Sequence, residues 1–277
     1  MIPQEMASMM DRRRLVAEVR TQSAVQALGV VDALAAAGIT LIEISMAIPG
    51  APEIVSHLAT RHDVVVGAGA VLEAHQAREM ISCGARFIAS PIGAPDLVPV
   101  CREANVMCIL GALTPSEVIA AQRAGAEIVK LFPGEALGGP AYVRGLLRQL
   151  THVSLQVSGG FTPENLGEYL ALPIRTLALG DLLVPPVLVD RGAWQAITNR
   201  AKAFADFAAN PHAFAARFLA MMGVAPRPKP APAPPRIATA PHPAVAPAPV
   251  AQPASLPPLD DDEQWDQPAS SDTDWLR

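Results

Sequence analysis

Between residues 14 and 190 the chain alternates short β-branched or apolar runs with longer Ala- and Leu-rich segments of helical period. This alternation constrains the fold more than any other feature, because each strand and each helix must bury one face against its neighbour. The runs predict strands at 15–20, 40–45, 63–67, 86–90, 106–110, 127–131, 153–157 and 176–180. Helices are predicted between them, among others over 23–37, 73–83, 115–124 and 163–171. Thr114-Pro115-Ser116-Glu117 and Thr162-Pro163-Glu164 place Thr at a helix cap and Pro at the first helical position. Ala37-Gly38, Cys83-Gly84 and Ala124-Gly125 fit helix C-caps leading into the next strand. Eight strand–helix units predict a (β/α)8 TIM barrel. A doubly wound open sheet is the second reading, and it is weaker because no GxGxxG follows the first strand.

The alternation stops near Met222. Of the 28 prolines, 14 fall between Pro226 and Pro268, a density that leaves too few backbone donors for helix or sheet. The expected organisation is a barrel over 1–222, a disordered Pro/Ala-rich linker over 223–259 and an acidic tail over 260–277 that contains Trp265 and Trp275. A net charge of −5 with 17% charged residues argues against a nucleic-acid surface. No apolar run reaches the ~18 residues of a membrane span, and Met1–Arg14 lacks a signal-peptide core, so a cytoplasmic protein is expected. Cys83, Cys101 and Cys108 lack CxxC spacing and read as buried reduced thiols. The six His form no metal-binding pattern, so no metal is expected.

Against 18 Arg the chain has three Lys: Lys130, Lys202 and Lys229. Lys229 lies in the linker and Lys202 on a polar-faced helix, whereas Lys130 closes the apolar run Glu127-Ile128-Val129-Lys130-Leu131-Phe132. A Lys in an apolar strand points to amine chemistry, since Arg can neither form a Schiff base nor be neutralised by burial. Burial alone lowers an ammonium pKa, which predicts some free amine near neutral pH. The plainer reading is a strand-end Lys whose stem reaches solvent. Glu43, in Leu41-Ile42-Glu43-Ile44-Ser45, is expected to point into the barrel near its C-terminal face and to supply a general acid/base. A structural ion pair of Glu43 with Lys130 or Arg20 is compatible with that role. Ser158-Gly159-Gly160 after the seventh strand and Gly180-Asp181 after the eighth are placed to let backbone N–H groups approach an anion.

The arrangement resembles the 2-keto-3-deoxy-6-phosphogluconate / 4-hydroxy-2-oxoglutarate aldolases, the class I Schiff-base pyruvate aldolases, over residues 14 to about 205. The likeness rests on Leu41–Ser45, on Val66-Gly67-Ala68-Gly69-Ala70-Val71-Leu72, on Gly84–Pro91 and on Leu113–Glu117. It continues through Val129-Lys130-Leu131-Phe132-Pro133-Gly134-Glu135 and Ser158-Gly159-Gly160. The resemblance implies a (β/α)8 homotrimer that cleaves a small 2-keto-4-hydroxy acid to pyruvate and an aldehyde. No cofactor is implied, because a protonated imine is the electron sink. It assigns Lys130 as the Schiff-base lysine, Glu43 as the acid/base acting through a water, and Arg20 as a pocket arginine. Pro91 and Phe132 would wall the pocket, with Gly69, Ser158, Gly159, Gly160, Gly180 and Asp181 contacting substrate.

Three residues depart from the family pattern. Ala70 stands in the place of a Thr, removing a pocket hydroxyl whose hydrogen bond would contribute ~0.5–1.5 kcal/mol. Asp181 stands in the place of a Ser in the phosphate loop, and a carboxylate ~4 Å from a phosphate charge costs ~4 kcal/mol per charge at an effective dielectric of about 20. If Asp181 instead caps a helix and turns away, that cost disappears. Glu18, two residues before Arg20 on the same strand face, is expected to neutralise it. These departures point to an active aldolase whose preference has moved away from phosphorylated sugars, toward 4-hydroxy-2-oxoglutarate or another short 2-keto acid. An alternative of another class is a trimeric scaffold with weak or no catalysis, recruited to a larger assembly through a protein partner of residues 256–277 that takes up Trp265 and Trp275. A phosphate-binding isomerase or synthase is disfavoured because it leaves Lys130 unexplained.

Overall fold

The computed structural model describes residues 1–224. The linker from residue 225 onward, the acidic tail, Trp265 and Trp275 therefore lie outside the described residues. Eight parallel strands, β1 (Leu15–Val19), β2 (Leu41–Ser45), β3 (Val65–Gly69), β4 (Phe87–Ala89), β5 (Met107–Ala112), β6 (Ile128–Leu131), β7 (Leu155–Ser158) and β8 (Thr176–Leu179), pair in chain order. β8 pairs back onto β1, with Leu15 opposite Leu177, and this closes the barrel and excludes the open sheet.

The helices are α1 (Pro3–Arg13), α2 (Ala24–Ala36), α3 (Ala51–Ala59), α4 (Ala74–Ser82), α5 (Leu97–Glu103), α6 (Pro115–Ala124), α7 (Gly139–Gln149), α8 (Leu166–Leu170), α9 (Pro186–Asp190), α10 (Trp194–Ala209) and α11 (Pro211–Met221). The Thr114 hydroxyl caps α6 by accepting from the Glu117 N–H, while the Glu117 carboxylate accepts from the Thr114 N–H at 2.7 Å. The expected C-cap glycines Gly38, Gly84 and Gly125 adopt the left-handed conformation at the ends of α2, α4 and α6. α8 is shorter than the 163–171 expected. Thr162 and Asn165 exchange backbone-to-side-chain hydrogen bonds, and regular helix begins only at Leu166. Lys202 is exposed on α10, which α11 follows.

Strand alternation divides the apolar residues into two sets. Residues such as Val19, Ile42, Ile44, Val129, Leu131 and Leu179 face the surrounding helices. Val16, Leu41, Phe87, Met107, Ile109 and Ile128 pack together inside the barrel. α1, which the sequence pattern does not announce, buries Met6 and Met10 against this inner set. Burying each methionine contributes about 1.5–3 kcal/mol relative to exposure. Because α1 precedes β1 and packs on β1 and β8, it closes the N-terminal end of the barrel and leaves the C-terminal end as the mouth.

β3 runs to Gly69, two residues beyond the 67 expected, although glycine disfavours strands. The reason lies inside the barrel. A Cβ on Gly67 would stand 2.5 Å from the Phe87 ring, and one on Gly69 would collide with the Glu43 carboxyl. Cys101 and Cys108 are buried thiols as expected, whereas Cys83 is only half-buried, and all three are free. Among the described residues, no helix is long and apolar enough to cross a membrane.

Candidate active site

Val129 and Leu131 turn outward to the helices, so strand parity forces Lys130 inward, with Ile128 below it. Lys130 is 4% exposed, which excludes the reading of a side chain that reaches solvent. Its ammonium donates to Glu43 Oε1 at 2.8 Å and Oε2 at 3.1 Å, and to Glu18 Oε1 at 2.9 Å. The Ser158 hydroxyl donates to the same Glu18 oxygen at 2.8 Å. β1 and β2 place Glu18 and Glu43 in register, so both carboxylates reach the amine from neighbouring strands.

These pairings overturn two expectations. Burial does work against the Lys130 charge, but the Coulombic pull of Glu43 and Glu18 outweighs it and raises the ammonium pKa. The resting amine is therefore protonated rather than partly free. Glu18 does not neutralise Arg20. Arg20 lies beyond the end of β1, exposed at the rim, and no ion pair or hydrogen bond engages it among the described residues. The Glu43 carboxyl is raised above its ordinary 4.5, first by desolvation and further by Glu18, against the opposing pull of Lys130. Glu43 is thus the buried carboxylate best placed to take a proton from the amine.

Around this centre lies a cavity of about 520 Å³ at the C-terminal mouth. The structure brings together there every expected site residue it describes: Arg20, Glu43, Gly69, Pro91, Lys130, Phe132, Ser158, Gly159, Gly160, Gly180 and Asp181. Ala70 also lines it, with φ +57°, a strained backbone conformation for a residue with a side chain. Ser45 and Phe161 line the cavity without having been singled out in the sequence. Ser45 could have been found by parity, two residues beyond Glu43 on the same strand face. Phe161 directly follows the glycine pair and carries no comparable signal.

After β7, Gly159 and Gly160 adopt left-handed φ values, and a Cβ on Gly160 would strike Glu135. After β8, the Gly180 carbonyl accepts from the N–H groups of Leu183 and Val184 at 2.8 and 2.9 Å, closing a tight turn. Asp181 is exposed on that turn. The next helix, α9, starts at Pro186 with Pro185 as its cap, so Asp181 is not a helix cap.

Replacing Lys130 by Met tests the charge arrangement. It leaves two carboxylates facing each other without a cation, and breaking a buried pair in this way costs ~3–5 kcal/mol. An acid whose folded pKa is raised makes the fold bind protons more tightly than the unfolded chain, so stability falls as pH rises above its ordinary value. Lys130→Met raises Glu43 further. The variant is therefore expected to lose little stability in acid and the full amount at neutrality, as read by urea unfolding across pH. A loss independent of pH would contradict the pairing.

A family model described as KDPG and KHG aldolase matches residues 6–200. A 2-dehydro-3-deoxy-phosphogluconate aldolase of Treponema pallidum is 33% identical over 191 residues, covering 68% of this chain and 90% of its own. Its namesake in Pseudoalteromonas atlantica is 32% identical over 177 residues, covering 64% and 82% respectively. Among solved structures, a KDPG aldolase from Legionella pneumophila, with pyruvate captured at low pH as a covalent carbinolamine intermediate, superimposes with a TM-score of 0.67. Its identity is 26%, with 71% of this chain and 96% of that one covered. With the lysine and carboxylates at the mouth of a closed eight-stranded barrel, and a family match spanning most of that barrel, the chain belongs to the KDPG and KHG aldolase family.

Proposed function

We propose that the protein is a class I aldolase that cleaves a 2-keto-4-hydroxy acid to pyruvate and an aldehyde, with Lys130 as the imine-forming amine. The observation that carries this reading is the placement of Lys130, buried at the barrel mouth within hydrogen-bond reach of a buried carboxylate on another strand. The family match and the pyruvate carbinolamine held by the Legionella relative support it.

The family likeness and the Lys130–Glu43 contact support the following steps. Lys130 passes a proton to Glu43 and adds through Nζ to the C2 carbonyl of the substrate. Glu43 returns that proton to the carbinolamine hydroxyl, which leaves as water, so a protonated imine forms and the carboxylate is restored. Glu43, acting through a water, then takes the C4 hydroxyl proton. The C3–C4 bond breaks, its electron pair moves toward the imine nitrogen, and the aldehyde departs. Glu43 delivers the proton it took to C3 of the resulting enamine, and water hydrolyses the protonated imine to release pyruvate and restore the Lys130 ammonium. Gly69 serves this chemistry by leaving the volume the Glu43 carboxyl occupies.

Substrate preference turns on the rim. Gly159, Gly160 and Gly180 line the cavity, the exposed Asp181 on the β8 turn adds negative charge there, and Ala70 supplies no hydroxyl. This combination favours unphosphorylated 2-keto acids. The assembly we assign is a cytoplasmic homotrimer. The trimer is supported by family likeness and by an apolar groove of about 450 Å³ lined by Pro91, Ile92, Pro95, Leu113 and Ala120, with Ile92 51% exposed. Sedimentation of the full chain as a monomer would contradict it. Docking through Trp265 and Trp275 is a proposal carried by sequence alone, and recovery of the same proteins by the wild-type chain and by Trp265→Ala/Trp275→Ala would remove it.

A panel of phosphorylated and unphosphorylated 2-keto-4-hydroxy acids, read by pyruvate release, tests the activity. Turnover is expected, greatest for unphosphorylated members, and abolished in Lys130→Met. Failure to release pyruvate from any member would favour the scaffold reading.

A further inference from the structure

Glu18 takes part in the resting ion cluster, but the cleavage steps leave its second oxygen without a task. Oε1 is occupied by Lys130 and Ser158, whereas no donor among the described residues reaches Oε2. Oε2 faces the turn after β8, lying 3.7 Å from where a Cβ on Gly180 would stand. The Glu18 side chain is 27% exposed against 5% for Glu43, so it is the carboxylate that borders the open cavity. It reaches from β1 toward β6 and β7, between the amine and the glycine turns.

The charges lining the cavity sharpen its consequence. Glu18, Glu43 and Asp181 stand against Lys130 and Arg20, and Lys130 is engaged by the two glutamates. Arg20 is the cation left without a partner, sufficient for the one carboxylate that every 2-keto acid carries. A second anionic group extending toward the glycine turns would meet Glu18 and Asp181 with no cation to offset them.

We propose that Glu18 is the specificity-determining residue of this site: it rejects substrates whose aldehyde fragment is anionic and selects those whose fragment is neutral and hydroxyl-bearing, with Oε2 accepting a substrate O–H. This inference rests on the aldolase reading and names its substrate class. It orders acceptor aldehydes by charge, with neutral polyhydroxy aldehydes above a carboxylate-bearing one and phosphorylated ones last.

The test is aldol addition of pyruvate to D-glyceraldehyde, glyoxylate and D-glyceraldehyde 3-phosphate, comparing the wild-type chain with Glu18→Gln. The amide keeps the shape and an acceptor oxygen while removing the charge. Wild-type kcat/KM is expected to favour glyceraldehyde over its phosphate, and Glu18→Gln to narrow that ratio by about tenfold or more, the equivalent of one modest charge–charge contact. An unchanged ratio, or an equal loss with all three aldehydes, would overturn the proposal. Calorimetric titration with inorganic phosphate reads the same charge without turnover. Glu18→Gln should bind it about tenfold more tightly than wild type, and equal affinity would overturn the proposal. A wild-type chain inactive with every aldehyde would instead sink the aldolase reading, leaving the phosphate titration to decide the role of Glu18.

Discussion

An ammonium almost sealed from water inside a β-barrel sets the terms for the rest of this molecule. Isolated, it would cost several kcal/mol of lost hydration and would shed its proton. Here Glu43 grips it with both oxygens and Glu18 with one, so the charge stays. Other features of the interior follow from making room for that cluster. β3 gives up side chains at Gly67 and Gly69, one for the Phe87 ring beneath and one for the Glu43 carboxyl above. α1 seals the opposite end with Met6 and Met10, so solvent and substrate share one entrance.

The two carboxylates occupy different surroundings and so suit different work. Glu43 lies deep, and burial raises its pKa, so its carboxyl holds a proton more firmly than an exposed one would. Glu18 stands at the edge of the cavity, fixed by the Ser158 hydroxyl and turned toward the β8 turn. A site with two carboxylates on one amine is poor in positive charge. The turns after β7 and β8 border the same cavity, and Glu18 and Asp181 add negative charge beside them. On the proposed reading, imine chemistry and a shifted substrate choice need no rearrangement of strands.

The barrel could be read from the chain because each strand–helix unit repeats a local pattern, and its Thr caps and Gly stops are local too. Lys130 and Glu43 stood out for a similar reason: a charge inside an apolar run is conspicuous. Glu18 was placed wrongly because residues two apart share a strand face, which made Arg20 its natural partner. β1 ends at Val19, however, and the actual partner is 112 residues away across the barrel, a relation no local spacing reveals. The direction of the Lys130 shift failed on the same point, since burial was visible in the sequence and the second carboxylate was not. Asp181 followed a Gly as a cap residue often does, yet the chain turns tightly and reaches helix only at Pro186. α1 escaped notice because two methionines four positions apart are its only fully buried residues.

The central claim, that the enclosed Lys130 amine becomes the covalent partner of a 2-keto acid, is tested most directly by incubating the full chain with pyruvate and borohydride and mapping the mass of its peptides. The account predicts a reduced pyruvate adduct on the peptide carrying Lys130, and none on those carrying Lys202 or Lys229. An unmodified Lys130 peptide under conditions in which the fold is intact would contradict it.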